Sequence, residues 1–279
     1  MSVDYHQSLL CDTLAVSRSG YHAWASRPPG PRAQADTVLL PLISQAHDES
    51  RQTYGSPRIR HWLRQHGHWC GQRRIARLMR HNGLTQQRRR RFRPVSLTDS
   101  HHDLPVAPNL LKQREPAVQP DAVWVADITY VPTAEGWLYV AGVLDRCSRR
   151  CVGWAMADTL ATTLPLAALE MALQQRRPPQ GLVHHSDRGV QYCSSAYRQR
   201  LERAGVIPSM SRPGNCYDNA AMESFWSTLK CGLIHRTHFA TRAQARAAIF
   251  EWIEVFYNRT RFHSALGYQS PVDFENQLN

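Results

Sequence analysis

Three carboxylates in this 279-residue chain stand where a charge has chemical use. Asp127 interrupts the apolar run VWVADITYV, a position at which an ionised carboxylate is costly unless something positive compensates it. Asp187 ends a second apolar stretch, GLVHHSD, and Glu223 falls in a long helical run from about Asp218 to Cys231. Each one alone reads equally well as a helix cap, a strand-end turn or a surface charge. Together they are a set of hard oxygen ligands without thiolates, the kind that suits Mg2+ or Mn2+. The spacing adds to this: 35 residues separate Asp187 from Glu223, and Lys230 follows the glutamate by seven, two helical turns along the same face.

The elements that must position these groups can be read from periodicity. Residues 123–131, 137–145 and 151–156 predict three strands in a meander, and residues 181–187 predict a further strand reached by a helical crossover that Thr162 or Thr163 caps. Helices are expected near Ser195 to Ala204, from Asp218 to Cys231, and from Thr241 to Asn258 with Ala245, Ala248, Ile249, Trp252 and Phe256 inward; VIPSMS between the first two is only a short segment. The result is an α/β fold, a mixed sheet flanked by helices, over residues 122–279. Residues 94–121 carry five prolines without periodicity, and 95–121 reads as a linker or an extended segment laid over another surface.

Upstream, the first 35 residues read as a short helical fragment and a breaker, RPPGPR, and a small all-α domain follows over 36–94. Its expected helices start at Asp36, at Ser56-Pro57, and at about Gln72, the last ending at Asn82-Gly83. Arg73, Arg77 and Arg80 fall on one predicted outward stripe of the third helix, beyond a short glycine-containing turn, which is helix-turn-helix spacing. A solvated helix face is the plain alternative. Between Arg51 and Arg93, however, there are thirteen arginines and no lysine or acidic residue, against a whole-chain net charge of +12. Such a block repels itself unless an anion covers it, so nucleic acid is the expected partner, with Arg88, Arg89, Arg90 and Arg91 forming a basic arm.

Around the carboxylates the words WVADITYV, LDRCSRRCVGW, HSDRGVQYCS, SMSRPGNCYDNAAMESFWSTLK and YNRTRFHSALGYQSPVDF resemble the second-frame (OrfB) transposases of the bacterial insertion sequence three family. YGSPRIRHWLRQHG and RRIARLMRHNGL resemble that family's N-terminal helix-turn-helix. The spacing of Asp187, Glu223 and Lys230 is similar to the D-D-35-E pattern of retroviral integrases and many transposases. The resemblance implies a ribonuclease-H-like core with Asp127, Asp187 and Glu223 as metal ligands. Two divalent ions would there serve an in-line displacement, water first freeing a 3′-hydroxyl that then attacks another phosphodiester. It further implies work as a homo-oligomer on DNA. An upstream-frame protein is expected as fusion or partner, since this chain begins at its own methionine without the upstream module. A plain nuclease of the same fold and a catalytically inactive DNA-binding regulator are the rival readings.

Other marked residues have structural uses beside functional ones. Asp145 either supports the site or begins a turn; His185 and Ser186 flank Asp187 and would orient it or touch DNA; Asn219 and Asp218 are expected to cap their helix. Cys216 and Trp226 read as packing residues, and Lys230 as a phosphate contact. Seven cysteines with no CxxC pair argue against both a disulfide framework and structural zinc. No GxxxxGK[ST] loop is present, no run approaches a membrane span, and the N-terminus has no signal-peptide order, so a cytoplasmic, nucleoid-associated protein is expected.

Overall fold

A computed structural model describes residues 6–85, 102–112, 117–212 and 219–278. Five helices come first: α1 (Gln7–Thr13), α2 (Arg18–Ala25), α3 (Pro31–Glu49), α4 (Ser56–Gln65) and α5 (Gln72–His81). The breaker RPPGPR separates α2 from α3, which starts on its last two residues, five before the expected Asp36. Gly30 caps it, and Pro31 occupies a first-turn position where no amide hydrogen is needed. Helices α3, α4 and α5 bury Leu39, Ile43, Ile59, Trp62, Leu63, Ile75, Leu78 and Met79 in a core of their own.

The second domain is built on β1 (Val123–Thr133), β2 (Gly136–Asp145), β3 (Cys151–Ala157), β4 (Val183–Ser186) and β5 (Ile207–Met210). Among the described residues these form one sheet in the order β3-β2-β1-β4-β5. The meander pairs antiparallel, while β4 and β5 join parallel to β1. This is the mixed, ribonuclease-H-like arrangement that was expected, with β5 formed by the VIPSM stretch that sequence periodicity leaves unassigned. α6 (Thr163–Arg176) makes the crossover, and α7 (Val190–Cys193) and α8 (Ser195–Arg203) follow β4.

Alternation along β1 and β2 splits the core in two. Val123, Val125, Val131, Leu138, Val140 and Leu144 face α9 (Ala220–Gly232) and α10 (Arg242–Glu251), whereas Trp124, Ala126, Ala141 and Val143 face α6 and α8. α10 widens into a π turn over Trp252–Tyr257, and α11 (Pro271–Leu278) closes the chain. The described part of the proline-rich segment, residues 102–112, meets β5: Leu110 N donates to Ser209 Oγ at 2.9 Å and Leu111 is buried. No described helix is long and apolar enough to cross a membrane, and the described cysteines are free thiols.

Candidate active site

Parallel pairing of β1 with β4 aligns Val125 with His185, each two residues before an aspartate, and Asp187 stands near enough for its charge to act on Asp127. β4 ends at Ser186, so Asp187 enters the following loop, where its Oδ1 accepts from Gly189 N at 3.0 Å just before α7. Asp127 Oδ1 accepts from its neighbour Ile128 N at 2.8 Å. Burial, and after it the Asp187 charge, push the Asp127 carboxyl up to about 7, against weaker pulls from the Ile128 amide, Trp226 and Lys230. Two carboxylates crowded in this way, one within β1 and one just past the end of β4, fit a cation, which would relieve both burial and repulsion.

α9 brings the third carboxylate. Asn219, just ahead of the helix, makes no side-chain cap, contrary to expectation; its Nδ2 reaches Ala126 O at 3.2 Å instead. The start of α9 is thereby tied to the strand residue preceding Asp127. Glu223 sits in the first turn, exposed to solvent, and the described residues contain no group of three metal-binding side chains already close enough to hold an ion. The expected convergence of all three is thus drawn only in outline: the Asp127–Asp187 pair is formed, and Glu223 stands apart from it on the neighbouring helix.

The fit of α9 against the sheet depends on Gly142, which pairs with Asp127 across β1 and β2. A Cβ at that position would lie 3.0 Å from Trp226 Cη2 and 3.4 Å from Met222 Cε. The missing side chain lets the indole approach the sheet at the level of Asp127. Trp226 Nε1 is buried there, favouring the ionised carboxylate without completing a hydrogen bond. Packing was foreseen for Trp226, but neither Gly142 nor the indole's orientation is visible from spacing. Tyr192 is a second omission. Its hydroxyl is buried without a hydrogen-bond partner, and burial followed by the nearby tyrosine and aspartate charges raises it well above its usual range.

Lys230 lies two turns beyond Glu223, half-buried, with Nζ 5.0 Å from the centre of the Tyr130 ring. Burial lowers its pKa and the Asp127 charge opposes that, so the ammonium stands within electrostatic reach of the carboxylate pair. Two supporting candidates have structural partners. Asp145, fully buried, accepts from Asp121 N and Ser148 N, both at 2.7 Å, and its partner on β1 is Trp124, three residues from Asp127; it organises the β2–β3 turn. His185, fully buried, bridges Ser209 and Ser211 through its two ring nitrogens at 2.8 and 3.0 Å, fastening β5 to β4.

The arginine stripe of α5 is also revised. Arg73 and Arg80 are exposed, but Arg77 pairs with Asp36 of α3, as does Arg74 at 2.6 Å. Asp36 lies outside the acid-free block in sequence and returns to it in space. Arg88, Arg89, Arg90 and Arg91, with Cys216 and Asp218, lie outside the described residues.

Family models match the chain in three places: an HTH-like domain over residues 33–92 and integrase core domains over 117–216 and 204–271. An insertion element IS600 uncharacterized 31 kDa protein of Shigella sonnei is 47% identical over 270 residues, 97% of this chain and 98% of the relative. Transposase InsF for insertion sequence IS3 of Escherichia coli O111:H- is 42% identical over 270 residues, covering 96% and 93%. Solved structures are more distant: the simian T-cell lymphotropic virus intasome in complex with PP2A regulatory subunit B56 gamma aligns at 13% identity with a TM-score of 0.49, over 84% of this chain and 74% of that one. The HTLV-2 integrase catalytic core domain in complex with magnesium aligns at 12% identity and 0.42, over 57% and 99%. With an integrase core, an HTH-like domain and more than 40% identity to such relatives along nearly its whole length, the chain belongs to the insertion sequence three family of DDE-type transposases.

Proposed function

We propose that this transposase cuts a DNA strand at the end of its element and joins the freed 3′-hydroxyl to target DNA, with Asp127, Asp187 and Glu223 as the metal-binding catalytic groups. The observation that carries the reading is the closeness of Asp127 to Asp187, with Asp127 pushed up to about 7 by burial and by its neighbour's charge. Asp127 and Asp187 would hold two Mg2+ or Mn2+ ions, with Glu223 added from α9; such ions polarise the phosphodiester and lower the pKa of the attacking hydroxyl or water. Asn219 and the Gly142–Trp226 contact keep α9 against β1, so that Glu223 and Lys230 approach from one side. Lys230 steadies the phosphate backbone beside the carboxylates as a point charge.

Arg73 and Arg80 on α5, with the basic arm from Arg88 to Arg91, supply DNA contacts that position the element end. A homo-oligomer on DNA, the upstream-frame protein as fusion or partner, and a cytoplasmic site at the nucleoid complete the reading. The test is a joining assay with labelled element ends and a plasmid target in magnesium, using the full chain and its Asp127→Asn, Asp187→Asn and Glu223→Gln variants. Joined product from the wild type, lost in all three while DNA binding persists, is expected. Cleavage without joining would indicate a plain nuclease, and binding without either a DNA-binding regulator. Near-normal joining by any one variant would remove that residue from the set.

A further inference from the structure

The segment after the π turn, residues 258–270, lies against the N-terminal helices. Phe262 stacks on Tyr54 with ring centres 5.4 Å apart, and Tyr268 stacks on His61 at 5.2 Å. Arg58 Nε donates to Phe262 O at 2.9 Å, and Phe262 N donates to Tyr54 Oη at 2.7 Å. Arg261 is set into this seam with only 7% of its surface exposed. One guanidinium nitrogen reaches Thr53 Oγ1 at 3.1 Å, while Nε is buried without a partner. His263 Nε2, close by, is likewise buried and unpartnered.

The surroundings add more positive charge. Burial, then the charges of Arg261, Arg58 and Arg149, hold His263 down at about 3, and burial with Arg58 lowers Arg261 to about 10. Among the described residues no carboxylate pairs with Arg58, Arg149 or Arg261. Two other partly buried arginines are matched by carboxylates: Arg176 shares Asp121 and Glu275, and Arg150 also meets Glu275. Burying a cation among cations is unfavourable unless an anion completes the site.

We infer that Arg58, Arg149, Arg261 and His263 form a phosphate-binding site for the DNA backbone at the junction of the helix-turn-helix and the catalytic core. Arg58, Arg149 and His263 are half-buried, and Arg261 is buried among them. Guanidinium groups match a phosphodiester in charge and in geometry. The groups come from α4, from the β2–β3 turn and from the 258–270 segment, so a phosphate held there ties both domains to one duplex. The inference rests on the proposal that the chain acts on DNA.

The test is fluorescence anisotropy of a labelled element-end duplex with the full chain across a salt series, alongside thermal melts without DNA, for Arg149→Gln and Arg58→Gln. Each variant should lower the slope of log affinity against log salt by about 0.9, a weakening of about eightfold at 0.1 M salt. The melting temperature of Arg149→Gln without DNA should hold, because no described carboxylate pairs with Arg149. Unchanged affinity and slope in Arg149→Gln overturns the site, and that variant decides even where Arg58→Gln loses its bond to Phe262 and fails to fold. A lower melting temperature with an unaltered slope would make these arginines structural and equally overturn it. Wild-type chain that does not bind duplex DNA at all would instead sink the functional reading beneath it.

Discussion

Replacing Asp127 with asparagine should separate stability from chemistry in a way that depends on pH. A carboxyl moved from 3.8 to about 7 carries on the order of 4 kcal/mol between its two protonation states, part of it owed to the Asp187 charge. In the metal-free fold Asp127 keeps its proton to higher pH than in the unfolded chain. Folding therefore takes up a proton, and stability falls as pH rises from about 4 to about 7. Asparagine keeps the oxygen that accepts from Ile128 N and never ionises. The variant should then melt with the wild type near pH 4 and above it at pH 8, both in EDTA. At roughly 2–4 °C per kcal/mol for a chain of this size, the gap at pH 8 should be about 8–16 °C. Magnesium should close it by stabilising the wild type selectively. An equal difference at both pH values, or none at pH 8, would refute the claim that Asp127 is a compressed carboxylate, whatever the joining assay gives.

Gly142→Ala places a methyl 3.0 Å from the Trp226 ring; it should cost roughly 1–3 kcal/mol by overpacking and slow joining by more than its loss of folded protein explains, with Trp226→Phe partly restoring both. Chemical denaturation and single-turnover joining would show this, and a wild-type profile would mean α9 is not held by that contact. Arg73→Ala and Arg80→Ala should each flatten the salt dependence of DNA binding by about 0.9, whereas Arg77→Ala, by releasing Asp36, should lower the melting temperature and leave the slope alone; a slope loss at Arg77 would reverse the assignment. Lys230→Ala should impair joining while the melting temperature holds, and an unchanged joining rate would leave it a helix charge over Tyr130. Asp145→Ala strands three donors and should cost roughly 1–3 kcal/mol, with normal joining per folded molecule; a specific loss of joining would return it to the site.

What could be read from the chain alone was local or periodic. Alternating apolar residues mark β1, β2 and β3 because a strand shows its faces every second residue, and the helix of Glu223 and Lys230 follows from the 3.6-residue repeat. The three carboxylates stood out because a charge inside VWVADITYV or at the end of GLVHHSD breaks such a pattern. Folding alone decided which charges meet. Asp36 lies some forty residues before Arg77 yet neutralises it, and Asn219 gives its amide to Ala126 rather than to its own helix. Gly142 matters only because Trp226, from a helix far along the chain, lands on it. Arg261 looks in sequence like any surface arginine and is buried because Phe262 and Tyr268 draw its segment onto α4. Periodicity reports which face of an element is apolar; it carries no record of the distant group across that face, and the energy of a charge is set by that group and by the water it displaces.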